Sequence, residues 1–484
     1  MRPTMIAAAA AAVALIPGTV FAQNEPLATI LPRLLVNSVT MTSTAQGVAG
    51  NPHEAHFIAA LGQNRVPFEI DRLVASQLST FPIGSSSGGF VFDFNPATGL
   101  FTPASRSFGS GFAERALTNG AGRFGFGLNY QHLTLKSYEG ADLQNGELAF
   151  VLQHNDCCGT PPGNSFVDPP FEGDLVRMEL SLNLKTDVVA PFVSYGLSSR
   201  WDVGVVVPFV RVQLAPTINA SIDRVATCPD GVCTGLNQFV HSWNGQGQTT
   251  KVTSRSGSAS GIGDVVFRTK YRFLEEEHGG LAAGVDLRVP SGDKENLLGT
   301  GAVQTKLALI GSDEFGIVSP HVNFGYTVSR GELSTSLTTL PLSNEPANPA
   351  TQSQIGNATG VALADPHLPN EINYVAGIDI AAHPLLTISA DVLGRTFLDV
   401  QRFARVSKLY LYRATAGGPT LEARRDIFDT SGTGTLNTVL GVIGGKLNIP
   451  GTPLLVTANV IFPLNHSGLI PKVTPVVGLD YAFK

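Results

Sequence analysis

The chain has 484 residues, with 32 lysines and arginines against 38 aspartates and glutamates, for a formal net charge of −6. A mildly acidic balance of this kind makes a poor nucleic-acid binder. Only 14% of residues are charged and the mean hydropathy is +0.14, yet beyond the first residues no apolar run reaches the ~18–20 residues of a membrane helix. Helical spans are excluded, and the apolar content has to sit in short alternating segments.

Arg2, the apolar stretch Met5 to Ile16 and the small-residue site Val20-Phe21-Ala22 form the pattern of a secretory signal peptide over residues 1–22. Export favours disulfides over metal sites for the four cysteines. Cys228 and Cys233 bracket the turn sequence Pro229-Asp230-Gly231, which brings their thiols together. Cys157 and Cys158 could bridge each other, pair with that couple or stay reduced.

Residues 23–120 read as a unit apart. Helical segments are expected at Pro52–Gly62 and Phe68–Leu78, then a hairpin of Gly89–Phe94 and Leu100–Pro103 around Asn95-Pro96-Ala97-Thr98-Gly99. A segment this long ahead of the first barrel strand sits in the periplasm or folds back into the lumen as a plug. The plug is the favoured reading, because an open lumen of this width would leak.

From about residue 121 a period of two takes over. Val176, Met178, Leu180, Leu182 and Leu184 interleave with Arg177, Glu179, Ser181, Asn183 and Lys185; Phe267, Tyr271 and Phe273 interleave with Arg268, Lys270 and Arg272. One face of each strand is apolar and the other polar. Strands are expected at 121–137, 174–197, 201–223, 259–277, 280–290, 301–313, 316–330, 371–383, 385–399, 434–449, 453–464 and 472–484. Tight turns alternate with longer polar joints, of which 138–173, 224–258, 331–370 and 400–433 are the longest. Outer-membrane barrels are built this way, with short periplasmic turns and long outer loops. The expected fold is all-β: a transmembrane up-and-down antiparallel barrel over 121–484, of about twelve strands, with fourteen the next count.

Gly261-Ile262-Gly263-Asp264, Lys270-Tyr271-Arg272-Phe273, Pro290-Ser291-Gly292-Asp293 and Leu298-Gly299-Thr300-Gly301 occur in that order, after a hairpin turn from Tyr195 to Gly204. Over roughly 174–330 this resembles the meta-pathway phenol-degradation family of outer-membrane barrels. The resemblance implies an uptake channel for small hydrophobic or aromatic compounds and carries over no substrate residues. Asn95-Pro96-Ala97 is similar to a short hatch motif of outer-membrane fatty-acid and aromatic-hydrocarbon transporters, although it is a good turn on its own terms. The terminal Leu479, Tyr481 and Phe483 resemble the signal that barrels present to their assembly machinery, departing from it in the Lys484 that follows.

Catalytic and cofactor signals are thin. His53-Glu54-Ala55-His56 lacks the His spacing of a zinc protease, Ser291–Asn296 is short of a calcium loop, and His154, Asp156 and the two adjacent cysteines are a weak metal set. No cofactor is expected. On the period-two reading the lumen face carries Arg177, Glu179, Lys185, Arg268, Lys270, Arg272, Asp286, Arg288, Lys306, Asp379, Asp391 and Asp480. These charges either pair across strands and stiffen the wall or tune an open path. The function read from this is passive uptake of small, hydrophobic or aromatic molecules through the outer membrane, in contact with its lipid. A surface adhesion barrel and a barrel hydrolase are the rivals.

Overall fold

The computed structural model describes residues 25–41, 105–154, 170–276, 279–333, 367–413 and 420–483, with strands at 92–95 and 100–103 and isolated positions 57, 61, 72, 74 and 76. The signal segment, His53 to His56, Pro96 to Gly99, Cys157 and Cys158 lie outside the described residues.

Twelve antiparallel strands close into a ring in chain order. They are β1 (Phe124–Tyr138), β2 (Leu175–Gly196), β3 (Trp201–Val206 continued by Phe209–Asp223), β4 (Gly257–Ile262 continued by Val265–Glu275), β5 (Gly280–Val289) and β6 (Ala302–Ser312). Then follow β7 (Val318–Gly331), β8 (Glu371–His383), β9 (Leu386–Tyr412), β10 (Leu421–Asn448), β11 (Leu454–Pro463) and β12 (Thr474–Phe483). The ring shuts where β12 pairs with β1, Phe483 opposite Phe124 and Val476 opposite Gln131. Among the described residues six short strands lie outside the ring; two of them, Phe92–Asn95 and Leu100–Pro103, pair as a hairpin where one of Gly89–Phe94 and Leu100–Pro103 was expected. The Cys228–Cys233 bridge is formed, with Cα atoms 5.2 Å apart.

Two expectations about the elements change. The segment 400–433 is not a loop. β9 and β10 stay paired out to Tyr412 opposite Leu421, and register shifts near Val400 and Phe403, with Asp399 at φ 54°, interrupt the alternation that would have revealed it. A helix, α1 (Leu27–Val39), also stands where none was expected. Its sequence is apolar almost all round, and such a helix has to be buried.

The outward faces identify the solvent. Phe124, Phe267, Leu307, Phe324, Ile443 and Val477 are exposed large apolar side chains spread around the ring. Across β1–β3 the outward rows read Phe124–Tyr195–Val203, Phe126–Val193–Val205 and Tyr130–Val189–Phe209, then turn polar at His132–Asp187–Arg211. Eight residues separate the first and last of these rows, about 26 Å at ~3.3 Å per residue, close to the ~25 Å apolar band of an outer-membrane barrel. At the boundary Asp187 takes hydrogen bonds from Tyr130 Oη (2.9 Å) and pairs with His132 Nδ1 (2.8 Å). A closed ring leaves no unpaired strand edge in lipid. The chain is built as an outer-membrane β-barrel.

Above the belt, β2 carries the main correction to the site residues. Val176, Met178, Leu180, Leu182 and Leu184 are fully buried and share a core with α1, so their face points into the lumen. Arg177, Glu179 and Lys185 therefore face outward rather than into the lumen. The parity of the strand never changes, but its surroundings do. Beyond the membrane the outer face meets water and the inner face meets an apolar helix.

Candidate functional site

Two parts of the N-terminal segment enter the ring from opposite ends. α1 lies at the outer mouth, where Leu27 N–H donates to Asn296 Oδ1 (3.3 Å), Lys251 Nζ donates to Asn37 O (2.7 Å) and Glu25 pairs with Arg33 and Arg255. Leu27, Ile30, Leu31, Leu34, Leu35, Val36 and Val39 are all buried there, each contributing about 1.5–3 kcal/mol.

Residues 105–119 lie at the end of the ring that carries the tight turns, which in outer-membrane barrels is the periplasmic one. Ser105 donates to Glu314 in a periplasmic turn (2.7 Å), Phe108 N–H to Thr387 Oγ1 (2.9 Å), and Thr118 to Ser199 O (2.6 Å). Asn119 N–H donates to Asp202 (3.0 Å). Glu114 and Asn323 exchange a reciprocal pair of hydrogen bonds, each 2.8 Å. The segment then turns into β1 past Gly196, where a Cβ would stand 1.9 Å from Gly120 O, so only glycine permits the crossing.

Between these two parts is a lumen cavity of about 200 Å³. Strand register sets its wall. One inward row runs Arg268, Asp286, Lys306, Thr327, Glu371 across β4–β8. The row toward the outer mouth runs Val266, Arg288, Gln304, Ser329, and the row toward the periplasm runs Lys270, Gly284, Ala308, Gly325, Asn373. The small residues of that last row leave the space, and Phe112 and Glu114 floor it.

The charges form chains. Glu114 pairs with Arg268 (3.3 Å) and Lys270 (3.5 Å), Arg268 also with Asp286 (3.1 Å), and Arg395 with Glu371 (2.8 Å). Opposite them Val375, Leu393 and Leu440 make an apolar wall with Phe112.

Among the expected lumen residues, Arg268, Lys270, Asp286, Arg288 and Lys306 line this cavity. Arg272 points inward at the periplasmic rim, donating to Glu276 O (2.8 Å). Asp480 pairs with Lys446 (3.3 Å). Asp379 and Asp391 flank His321, at 3.5 and 2.6 Å, and Ser110 donates to Asp391. This Ser–Asp–His order puts the carboxylate between the other two groups, so the serine has no base and is not set up as a nucleophile.

Glu114, Asp202, Glu371 and Arg395 were missed. Glu371 and Arg395 share the parity of Asp379 and Asp391 on their own strands, so a longer reading of the alternation would have found them. Glu114 has no such signal.

The family-like glycine segments meet at one carboxylate. Asp264 accepts from Gly292 N–H (3.0 Å), Thr300 N–H (2.8 Å) and Thr300 Oγ1 (2.8 Å), and a Cβ on Gly299 would stand 2.3 Å from it. They tie the break in β4 to the loop after β5.

No family model and no curated protein matches the chain, so the likeness to the phenol-degradation family stays a resemblance. Among solved structures, an outer-membrane channel from Pseudomonas putida F1 is 10% identical at a TM-score of 0.39, covering 76% of this chain and 98% of that one. A FadL homologue from Pseudomonas aeruginosa is 11% identical at 0.31, covering 84% and 98%. The toluene transporter TbuX from Ralstonia pickettii is 10% identical at 0.25, covering 75% and 90%. Likenesses this loose leave the assignment resting on the closed ring and its apolar belt.

Proposed function

We propose that the chain is a passive outer-membrane channel for small hydrophobic or aromatic molecules, with residues 23–120 as its plug. The observation that carries this reading is the lumen cavity with its apolar wall, lying between α1 and residues 105–119. Such a cavity is a way-station for a solute with apolar surface. Beside the apolar packing of Phe112 and Ala116, residues 105–119 are held by hydrogen bonds and ion pairs that water can replace, as a movable element requires. Because most of the lumen charges are paired with one another, the wall is stiff and the free path narrow.

The test is initial uptake of radiolabelled benzyl alcohol by intact cells with and without the chain. Several-fold faster uptake, insensitive to a protonophore, is expected. Equal rates with a folded barrel in the membrane would overturn the channel; protonophore-sensitive uptake would overturn its being passive.

A further inference from the structure

We propose that the lumen cavity binds a compact aromatic carboxylate, which narrows the substrate class and rests on the channel reading above. The cavity is two-sided. Phe112, Leu393 and Leu440 give it one apolar wall, and the β4–β6 wall opposite is charged.

The carboxylates of the cavity are already engaged. Glu114 is taken by Arg268 and Lys270, Asp286 by Arg268, Glu371 by Arg395, and Asp202 by the Asn119 amide. Two cations are left over. Arg288 and Lys306 line the cavity, and among the described residues neither has a carboxylate at ion-pair distance. One guanidinium nitrogen of Arg288, Nη1, is buried with no hydrogen-bond partner. Lys306 stands opposite Asp286 in register, but both Asp286 oxygens are held by Arg268, at 3.1 and 3.2 Å.

Cations without a matching carboxylate in a buried wall are costly, and an anion between them removes that cost while gaining charge-assisted hydrogen bonds. Size and the second wall fix the rest of the ligand. A dry cavity of roughly 150 Å³ holds benzene, so about 200 Å³ suits one ring bearing a small anionic group rather than a long chain. An inorganic anion would waste the apolar wall. A neutral hydrocarbon would leave the two cations unmatched, and sites built for a polar partner reject analogues that lack it.

The experiment is calorimetric binding to the full chain folded in detergent, with benzoate, the isosteric neutral benzamide, and acetate as probes. Benzoate is expected to bind at least about tenfold more tightly than either of the others. The double variant Arg288→Gln/Lys306→Gln is expected to lose that preference with benzamide binding unchanged, and Lys306→Arg to keep it. Heat-modifiable gel migration confirms the folded barrel; if the double variant does not fold, Lys306→Gln alone is the comparison. Equal binding of benzoate and benzamide, or a preference that survives removal of both cations, would overturn the assignment.

Uptake by intact cells separates this from the channel reading. Faster uptake of both ring compounds with no preference for benzoate overturns the carboxylate site alone. A benzoate binding preference with no gain in uptake of either compound supports the site and overturns the channel.

Discussion

At the scale of single residues, burial decides more than charge. Asp174 is fully buried just beyond the outer end of β2, and accepts from Ala226 N–H (3.2 Å), Thr227 N–H (3.0 Å), Thr227 Oγ1 and His241 Nδ1 (3.0 Å). Burial pushes its carboxyl up to about 6, against the pull of those donors and of Arg224. An acid raised in the folded state holds its proton more tightly there than in the unfolded chain. Its contribution to stability is therefore largest below about pH 4 and is lost as pH rises through about 6. Hydrogen exchange over 223–249 should be slower at pH 4.5 than at pH 7 relative to Asp174→Asn. A pH response identical in the variant would show that other groups control this loop. Leu180 makes the same point in the core. It packs inward beside α1, so Leu180→Ala should cost about 2–5 kcal/mol in a urea titration, and Leu180→Arg should sharply lower folding yield. Ser181→Arg, on the outward face, should be tolerated. A greater cost at 181 than at 180 would mean the strand is registered the other way, and equal cost would mean that Leu180 is not packed on α1.

At the scale of elements, most of the barrel is legible in the sequence, because period-two alternation and the contrast of tight and long joints are local signals. The expected 201–223 and 371–383 coincide with strand limits, and the closing strand ends at Phe483. What alternation cannot say is which face meets lipid. On β2 the odd positions are Val189 and Val193 within the belt but Arg177 and Glu179 above it, so chemistry inverts while geometry does not. Nor does alternation survive bulges. The phase breaks near Asp399 and Gly432 hid the outer part of the β9–β10 hairpin, whose Phe403 and Phe428 rings pack against Tyr138. The hairpin is also tied down by Arg402 to Glu139 (2.6 Å). It belongs to the outer surface if long joints face out. Arg413→Cys should then react with a membrane-impermeant maleimide on intact cells, and Ser199→Cys, in a short turn, only after the outer membrane is permeabilised. The reverse pattern would invert the assigned sidedness.

At the scale of the whole molecule, the barrel and its N-terminal segment depend on one another, and that dependence makes gating testable. The two ends of the segment are held differently. α1 is held by apolar burial in a core that includes Leu180, Leu184, Val212 and Leu214 of the wall. Residues 105–119 bury only Phe112 and a few small or single apolar side chains, and are held chiefly by hydrogen bonds and the ion pairs of Glu114 with Arg268 and Lys270. Apolar burial gives stability without directionality, whereas partly buried ion pairs are sensitive to the loss of one charge. The two halves should therefore respond differently. Glu114→Gln should leave the thermal midpoint little changed while raising single-channel conductance in planar bilayers, because it loosens only the periplasmic latch. Deleting residues 25–119 should raise conductance further and also lower the midpoint by many degrees, because it strips α1 from the upper core and wets the leucines it covered. If conductance is unchanged in both, residues 105–119 do not obstruct the path and the gating role is wrong. If the deletion opens the channel but Glu114→Gln does not, the obstruction is the apolar helix at the outer mouth, and the latch at Arg268 and Lys270 only anchors the chain.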